Sequence, residues 1–542
     1  MTADLDPITV EVIGASLSSI VEEMGETLVK ASFSPNIKER RDCTAALFDA
    51  SGHIVAQAEQ IPIHLGSLMG IVQALLDAYP AEELRPGDVF IGNDPHTGGG
   101  THLPDIVLAE PLIIDGTLRG WVANLAHHAD FEDRGHRHIF QEGLRIPPIR
   151  LGRDGVPQPA IMRLFLTNCQ VPDERRSDIA AQLAANRRGT LRWRELVERY
   201  GADTLERASA QLLDHTERLT RAGIAAIPDG RYAFADRLDN EGLPEELTMS
   251  VAVEVAGDTI TFDFTGNPPQ VEGPQNMVRS ALLATVYYAM KTLLDEDLPP
   301  NAGLHRPITV VSEPGTIVDA TAPAAVNSRM QAGQRVVDLI HGALGEAVPD
   351  RVIAATNGAC TALSFAGTHP RTGEYYIYLE TIGGGSGAAC EIDGADAVQV
   401  HLTNTSNLPV ESLETEYPLT VEAYELAADS GGAGRRRGGL GIRRRIRVEA
   451  PTARVRVSTS RQTSRPWGFL GGGPAGPARV TYTDGVRAYG GVAVLRAGQA
   501  VTVQTAGGGG YGPAAQRAPQ DRARDRTEGI VAASGDEQDR EE

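Results

Sequence analysis

The stretch from Gly92 to His138 constrains this chain more than any other. It reads G-N-D-P-H-T-G-G-G-T-H-L-P-D, then a strand-like apolar run, then N-L-A-H-H-A-D-F-E-D-R-G-H-R-H. Six of the 13 histidines (His96, His102, His127, His128, His136 and His138) fall here, interleaved with Asp94, Asp105, Asp130 and Asp133. Neutral imidazole and carboxylate are the ligand set for Zn, Mn or Fe in catalytic sites that leave a position open for water or substrate. Strand-like runs at residues 89–93, 106–114 and 121–125 place both histidine clusters at strand ends, where a rigid sheet edge can project them. His102 and Asp105 are three apart and can reach one ion from a tight turn, and the preceding glycines let the backbone approach closely. His127 or His128, arriving on the next strand, completes a three-ligand site open to water. An ion there would polarise a carbonyl and lower the pKa of bound water to roughly 7. Asp94 and His96 are candidates to support the ligands, since a ligating imidazole usually donates its other N–H to a carboxylate.

The rest of the chain reads as an α+β, multi-domain protein. Asp6-Pro7 starts a helix whose apolar positions Ile8, Val12, Leu17, Ile20, Val21, Met24 and Leu28 recur at helical spacing. A polar loop and a hairpin with D-A-S-G as its turn follow, then a second helix from His64 to about Tyr79. Residues 174–227 turn helical. A strand pair with a G-D turn leads to an apolar helix at 279–294 and an amphipathic one at 334–347. Beyond Pro418 short strands alternate with glycine clusters, which read as tight turns. We expect a mixed N-terminal sheet with helices carrying the metal site over residues 1–235 and a central α+β region over 236–417. A β-rich C-terminal region over 418–513 and a tail without structure over 514–542 complete the expectation.

Composition narrows the function. A net charge of −21 disfavours duplex DNA and anionic membranes as partners. Four scattered cysteines form no disulfide framework and no CxxC pattern, which suits a cytoplasmic protein. No apolar run reaches the length of a membrane span, and the acidic start lacks the features of a signal peptide. The glycine runs precede no Lys-Ser or Lys-Thr, so the chain carries no P-loop. Arg435–Arg437 and Arg443–Arg445 form a basic patch, read as a solvated face in preference to a holder for a phosphorylated substrate or an acidic partner surface. Cys43 is read as a buried structural thiol in preference to a nucleophile.

Taken together, several segments make the chain resemble the hydantoinase B/oxoprolinase family from Asp6 to about Pro513. They are D-P-I-T-V-E-V-I, F-S-P-N-I-K-E-R-R-D-C, I-P-I-H-L-G-S-L, G-D-V-F-I-G-N-D-P-H-T-G-G-G-T-H-L-P-D, A-H-H-A-D, E-G-P-Q-N, S-G-G-A-G-R-R-R-G-G-L-G and G-G-G-G-Y-G-P. The resemblance implies a divalent metal held by the T-H-x-x-D motif and the first histidine of the later pair, here His102, Asp105 and His127. It also implies a separate hydantoinase A-type subunit that binds ATP and phosphorylates the substrate's amide or carbonyl oxygen, which fits the missing P-loop. The B-type protein then opens the ring of that activated cyclic amide, with His128 or Asp42 as general base or proton shuttle. The implied assembly is a cytoplasmic hetero-oligomer. Two alternatives are an α subunit of an acetone-type ATP-dependent carboxylase, whose chains are usually longer, and a non-catalytic scaffold for an ATPase partner.

Overall fold

The structure, a computed structural model, describes residues 5–128, 136–239, 247–483 and 491–531. The chain divides into two compact units: Met1–Arg231 with Val253–Arg329 and Asn404–Ser406, and Tyr232–Ala252 with Met330–Thr403 and Asn407–Glu542. The expected boundary at 417/418 falls inside the second of these, where Thr361–Thr368 and Thr452–Ser458, from either side of it, pair in one sheet.

Local sequence explains the start of the first unit. Helix α1 (Pro7–Ala31) is capped by Asp6, whose carboxylate accepts the Thr9 N–H at 3.2 Å, and it buries Ile13, Leu17, Ile20, Val21, Met24 and Leu28. The helix expected from His64 breaks at Gly70, whose φ of 92° no helix can continue through, leaving a turn at His64–Ser67 and a helix at Ile71–Ala78. Gly201, at φ 82°, likewise divides the helical stretch into Pro172–Tyr200 and Ala202–Ala225.

These helices cover a seven-stranded sheet. Its strands are β1 (Cys43–Asp49), β2 (Ile54–Gln57), β3 (Val89–Gly92), β4 (Asp105–Ile114), β5 (Thr117–His127), β6 (Ile149–Arg153) and β7 (Val156–Pro157), in the order β2-β1-β5-β4-β3-β6-β7. The sheet is antiparallel throughout, which corrects the expectation of a mixed one. Pairs such as β4–β5 are joined by tight turns, here Asp115-Gly116 with φ of 50° and 75°, and parallel neighbours would need long crossovers instead. Alternation along β5 sends Val122 and Ala126 into a core with α1 and the helix Pro172–Tyr200. Trp121, Ala123 and Leu125 enter the opposite core with Ile71, Val72 and Leu75. Both faces are covered, which is why β4 and β5 read as nearly unbroken apolar runs.

The second unit is β-rich. One antiparallel sheet orders Tyr375–Ile382, Thr361–Thr368, Thr452–Ser458 and Val492–Arg496, and another orders Leu419–Ala427, Gly441–Val448, Ala500–Gln504 and Arg479–Tyr482. Residues of both sheets, among them Phe365, Val455, Ile446 and Val501, share one core. The helix Met330–Leu344 buries all its residues, its polar ones included. Asp338 there accepts from Thr356 N–H, His401 and Arg461.

Of the glycine runs, 471–473 does hold a tight turn, with Leu470 and Gly471 at φ of 47° and 88° and Gly472 N–H donating to Phe469 O at 2.9 Å. The others do not. The glycines at 383–385, 438–439 and 507–510 take no positive φ. They run as adjacent extended segments bonded backbone to backbone: Gly508 N–H donates to Gly439 O, Gly432 N–H to Gly508 O and Gly439 N–H to Ser386 O, each at 2.9 Å. A Cβ at Gly438 would overlap Gly508 O, and one at Gly508 would overlap Ser386 O, so only glycine fits. The arginine patch is open only in part: Arg443 and Arg445 reach solvent, paired to Glu425 and Glu422. Arg444 is fully buried against Glu380 at 2.6 and 2.8 Å, and Arg437 chelates Asp396 at 2.6 and 2.9 Å. The tail differs from expectation as well. Pro519–Thr527 is helical, because Arg517 is clamped between Asp393 at 2.8 Å and Asp525 at 2.7 Å and Ile530 is buried. Residues 532–542 lie outside the described ones.

Candidate metal centre

The sheet's register assembles the site. Asp105 opens β4 and His127 closes β5, and the two are direct cross-strand partners. Direct partners share a face and sit side by side. Asp42, just before β1, joins them: its carbonyl accepts the His127 N–H at 2.9 Å. His102 arrives from the turn before β4, and its carbonyl accepts the Asp105 N–H at 3.1 Å. The close turn needs Gly100, at φ 71°, where an added Cβ would lie 2.6 Å from the Asp105 Cβ. Asn93 ties this loop down, donating to Leu103 O at 2.8 Å and Leu144 O at 2.9 Å.

The result is a buried cluster of His102, Asp105 and His127 whose ligand atoms all lie within 4.8 Å of one another. His102 Nδ1 faces Asn327 Oδ1 at 2.9 Å, so that nitrogen carries the proton and Nε2 offers a lone pair. Nε2 points at Asp105 Oδ1, 3.1 Å away, and neither buried atom has a hydrogen-bond partner. Two acceptors facing each other in the interior repel unless a proton or a metal cation lies between them. The donor set therefore fits a divalent metal. Asp105 offers a single oxygen, because its Oδ2 is engaged by Thr101 N at 3.1 Å, Thr101 Oγ1 at 2.9 Å and Arg329 Nη2 at 3.3 Å.

Charge states suit the same purpose. Burial opposes ionisation of Asp105, yet a His102 protonated at Nε2 when no ion is bound, together with Arg329, holds its carboxyl well below the usual range. Burial pushes His127 down to about 3, so the ring is neutral and able to ligate. Burial works against ionisation of Asp42, but its carboxyl is nevertheless held low, with the hydrogen-bonded His64 and Arg40 acting against the burial.

The other sequence candidates lie elsewhere. His128 points to the opposite face of the sheet, bonding Gln182 Oε1 at 3.2 Å and packing on Phe165, and burial lowers it to about 4. Asp94 pairs with Arg145 at 2.7 Å, and His96 faces Ala324 O at 3.2 Å, so neither supports a ligating ring. His136 lies against Glu142, and His138 forms an isolated bridge with Ala324. Asp130 and Asp133 lie outside the described residues. Cys43 is buried with its thiol against Gln60 and pushed up by burial, a structural role. The supporting residues that sequence reasoning missed are Asn36, Asn327, Arg329 and Glu142. Amides and a single arginine carry no spacing motif, and Asn327 is 225 positions from the ring it orients.

Known proteins resemble this chain over nearly its whole length. Residues 6–514 match the family described as hydantoinase B/oxoprolinase. The putative B component of a D-/L-hydantoinase from Pseudomonas sp. (strain NS671) is 31% identical, over 97% of this chain and 93% of the relative. 5-Oxoprolinase 1 of Arabidopsis thaliana is 30% identical over 94% of this chain but only 42% of its own length. The crystal structure of an ATP-dependent caprolactamase from Pseudomonas jessenii superposes with a TM-score of 0.89 at 29% identity, covering 98% of this chain and 95% of that one. A family match over nearly the whole length assigns this chain to the hydantoinase B/oxoprolinase family.

Proposed function

We propose that this chain is the metal-dependent subunit of an ATP-dependent cyclic-amide hydrolase, opening the ring of a substrate phosphorylated by a separate ATP-binding subunit of the hydantoinase A type. The observation that carries the reading is the facing, unpartnered pair of His102 Nε2 and Asp105 Oδ1 beside His127. Relatives named as the B component of a hydantoinase, a 5-oxoprolinase and an ATP-dependent caprolactamase supply the substrate class. The 5-oxoprolinase is more than twice as long as its matched part, consistent with ATP chemistry residing outside the region this chain corresponds to.

An amide carbon is a poor electrophile; phosphorylation of its oxygen lets water add there. The ring C–N bond then breaks with the nitrogen taking a proton, and a second water releases phosphate from the resulting acyl phosphate to leave the carboxylate. A divalent ion (Zn, Mn or Fe) held by His102, Asp105 and His127 supplies a Lewis acid for the phosphorylated oxygen and acidifies water. The chain's own residues do the rest. Thr101 and Arg329 hold Asp105 Oδ2 so that Oδ1 stays turned toward the His102 ring. Asp42, ionised and 3.1 Å from His64 Nε2, relays the proton of the attacking water to His64, since its own carboxyl is held too low to keep it. His128, turned toward Gln182, is the weaker candidate for that transfer. No helix among the described residues is long and apolar enough to cross a membrane. We assign the complex to the cytoplasm, where ATP is available.

Elemental analysis of wild type beside His102→Ala/Asp105→Ala tests the reading. We expect close to one divalent ion per chain, lost in the double variant, and ring-opening turnover with the ATP-binding partner reduced at least about 100-fold. Turnover unchanged in the variant would leave the chain a scaffold for an ATPase.

A further inference from the structure

The two ring ligands are supported by asparagines of opposite polarity. At His102 the amide presents its oxygen: Asn327 Oδ1 lies 2.9 Å from Nδ1, which fixes the proton there and frees Nε2. The segment carrying Asn327 is clamped by the buried Glu142, which accepts the N–H groups of Val326 at 3.0 Å and Asn327 at 2.8 Å. At His127 the amide presents its nitrogen: Asn36 Nδ2 lies 3.0 Å from Nδ1. The orientation of that amide is set by its neighbour. Arg40 Nη1 lies 3.0 Å from Asn36 Oδ1, and a guanidinium only donates, so the oxygen must face Arg40 and the NH2 must face the ring. Asn36 and Arg40 are both buried, so solvent does not offer the amide another arrangement.

This polarity works against ligation. A neutral imidazole whose Nδ1 accepts a hydrogen bond keeps its proton on Nε2. If Nε2 is to hold a metal, the proton must leave or move to Nδ1, which then meets an amide donor. If Nδ1 is to hold it, the Asn36 amide must be displaced. Ligating histidines are normally supported in the opposite sense, by an acceptor that takes the second N–H.

We infer that Asn36, oriented by Arg40, is a built-in brake on His127, making it the weak and exchangeable ligand of the three, while Asn327 makes His102 the firm one. Both are positioning residues. The inference rests on the metal-site reading above and adds to it an order of ligand strength. It predicts shifts of opposite sign from two amides of the same chemical type.

Metal dissociation constants, measured on the full chain by competition of Zn²⁺ with a chromophoric chelator, test this without any activity assay. Asn36→Asp supplies an acceptor for His127 Nδ1–H and is expected to tighten Zn²⁺ binding by about 10–100-fold. Asn327→Ala is expected to weaken it by about 10–100-fold. Nitrogen-15 shifts of the metal-free protein provide the second readout: His102 protonated at Nδ1 and His127 at Nε2, with His127 changing to Nδ1–H in Asn36→Asp. Weaker binding in Asn36→Asp, or dissociation constants within twofold of wild type in both variants, overturns the inference. Absence of Zn²⁺ binding in wild type overturns the metal-site reading itself and the brake with it, a result distinct from a wild type that binds and variants that match it.

Discussion

Glu110 lies on β4 with its side chain on the face that meets the helix Pro172–Tyr200, and burial raises its carboxyl to about 7 against the opposing influence of Asn186 and Arg187. A folded pKa above the ordinary carboxylate value means that the folded protein holds a proton the unfolded chain releases. Its contribution is therefore complete below about pH 4.5 and is lost as pH rises through 7. Glu110→Gln should raise stability at pH 8 by about 1–3 kcal/mol and leave it unchanged at pH 4.5. Thermal melts at the two pH values check this, and equal shifts at both would refute the buried-proton account. The same alternation decides the site. His127 and His128 are adjacent in sequence and equal in chemistry, yet one meets Asp105 across the strand pair and the other meets Gln182 on the far face. Residue types alone left both open. Their difference is a matter of strand parity, and parity has meaning only once the sheet's two covered faces are known.

At the scale of elements, the helices and strands of the first unit were legible because caps, glycine breaks and apolar runs are local signals. The glycine segments were not. Glycine at a turn and glycine in a close-packed extended segment look alike in sequence, and the distinction lies in neighbours tens of residues away, such as Gly438 against Gly508. Gly438→Ala forces a methyl into a backbone oxygen that is itself held by a hydrogen bond to Gly432. We expect a loss of at least about 3 kcal/mol or no soluble folded protein, since overpacking usually costs about 1–3 kcal/mol and backbone cannot step aside as a side chain can. A melting temperature indistinguishable from wild type, by circular dichroism, would refute the close-packing account.

For the whole molecule, the C-terminal stretch shows how composition can mislead. It is polar and charged, yet Arg517 joins it to Asp393 and Asp525 and so supplies through ion pairing what it lacks in apolar burial. Arg517→Ala leaves two partly buried carboxylates without their partner and should cost about 2–4 kcal/mol. A denaturant melt unchanged from wild type would count against it. Reading the chain in one dimension was enough for the family, the α+β class, the helix of the first residues and the choice of His102, Asp105 and His127 as a group to be brought together. Each of these rests on local spacing or on strings of residues that keep their meaning without a fold. Only the folded chain tells which oxygen of Asp105 is free, which amides orient the two rings, why Asp94 and His96 stand aside, and where the chain divides. Those outcomes depend on hydrogen-bond direction and strand register between segments far apart in the chain, and neither leaves a mark on the sequence of any one segment.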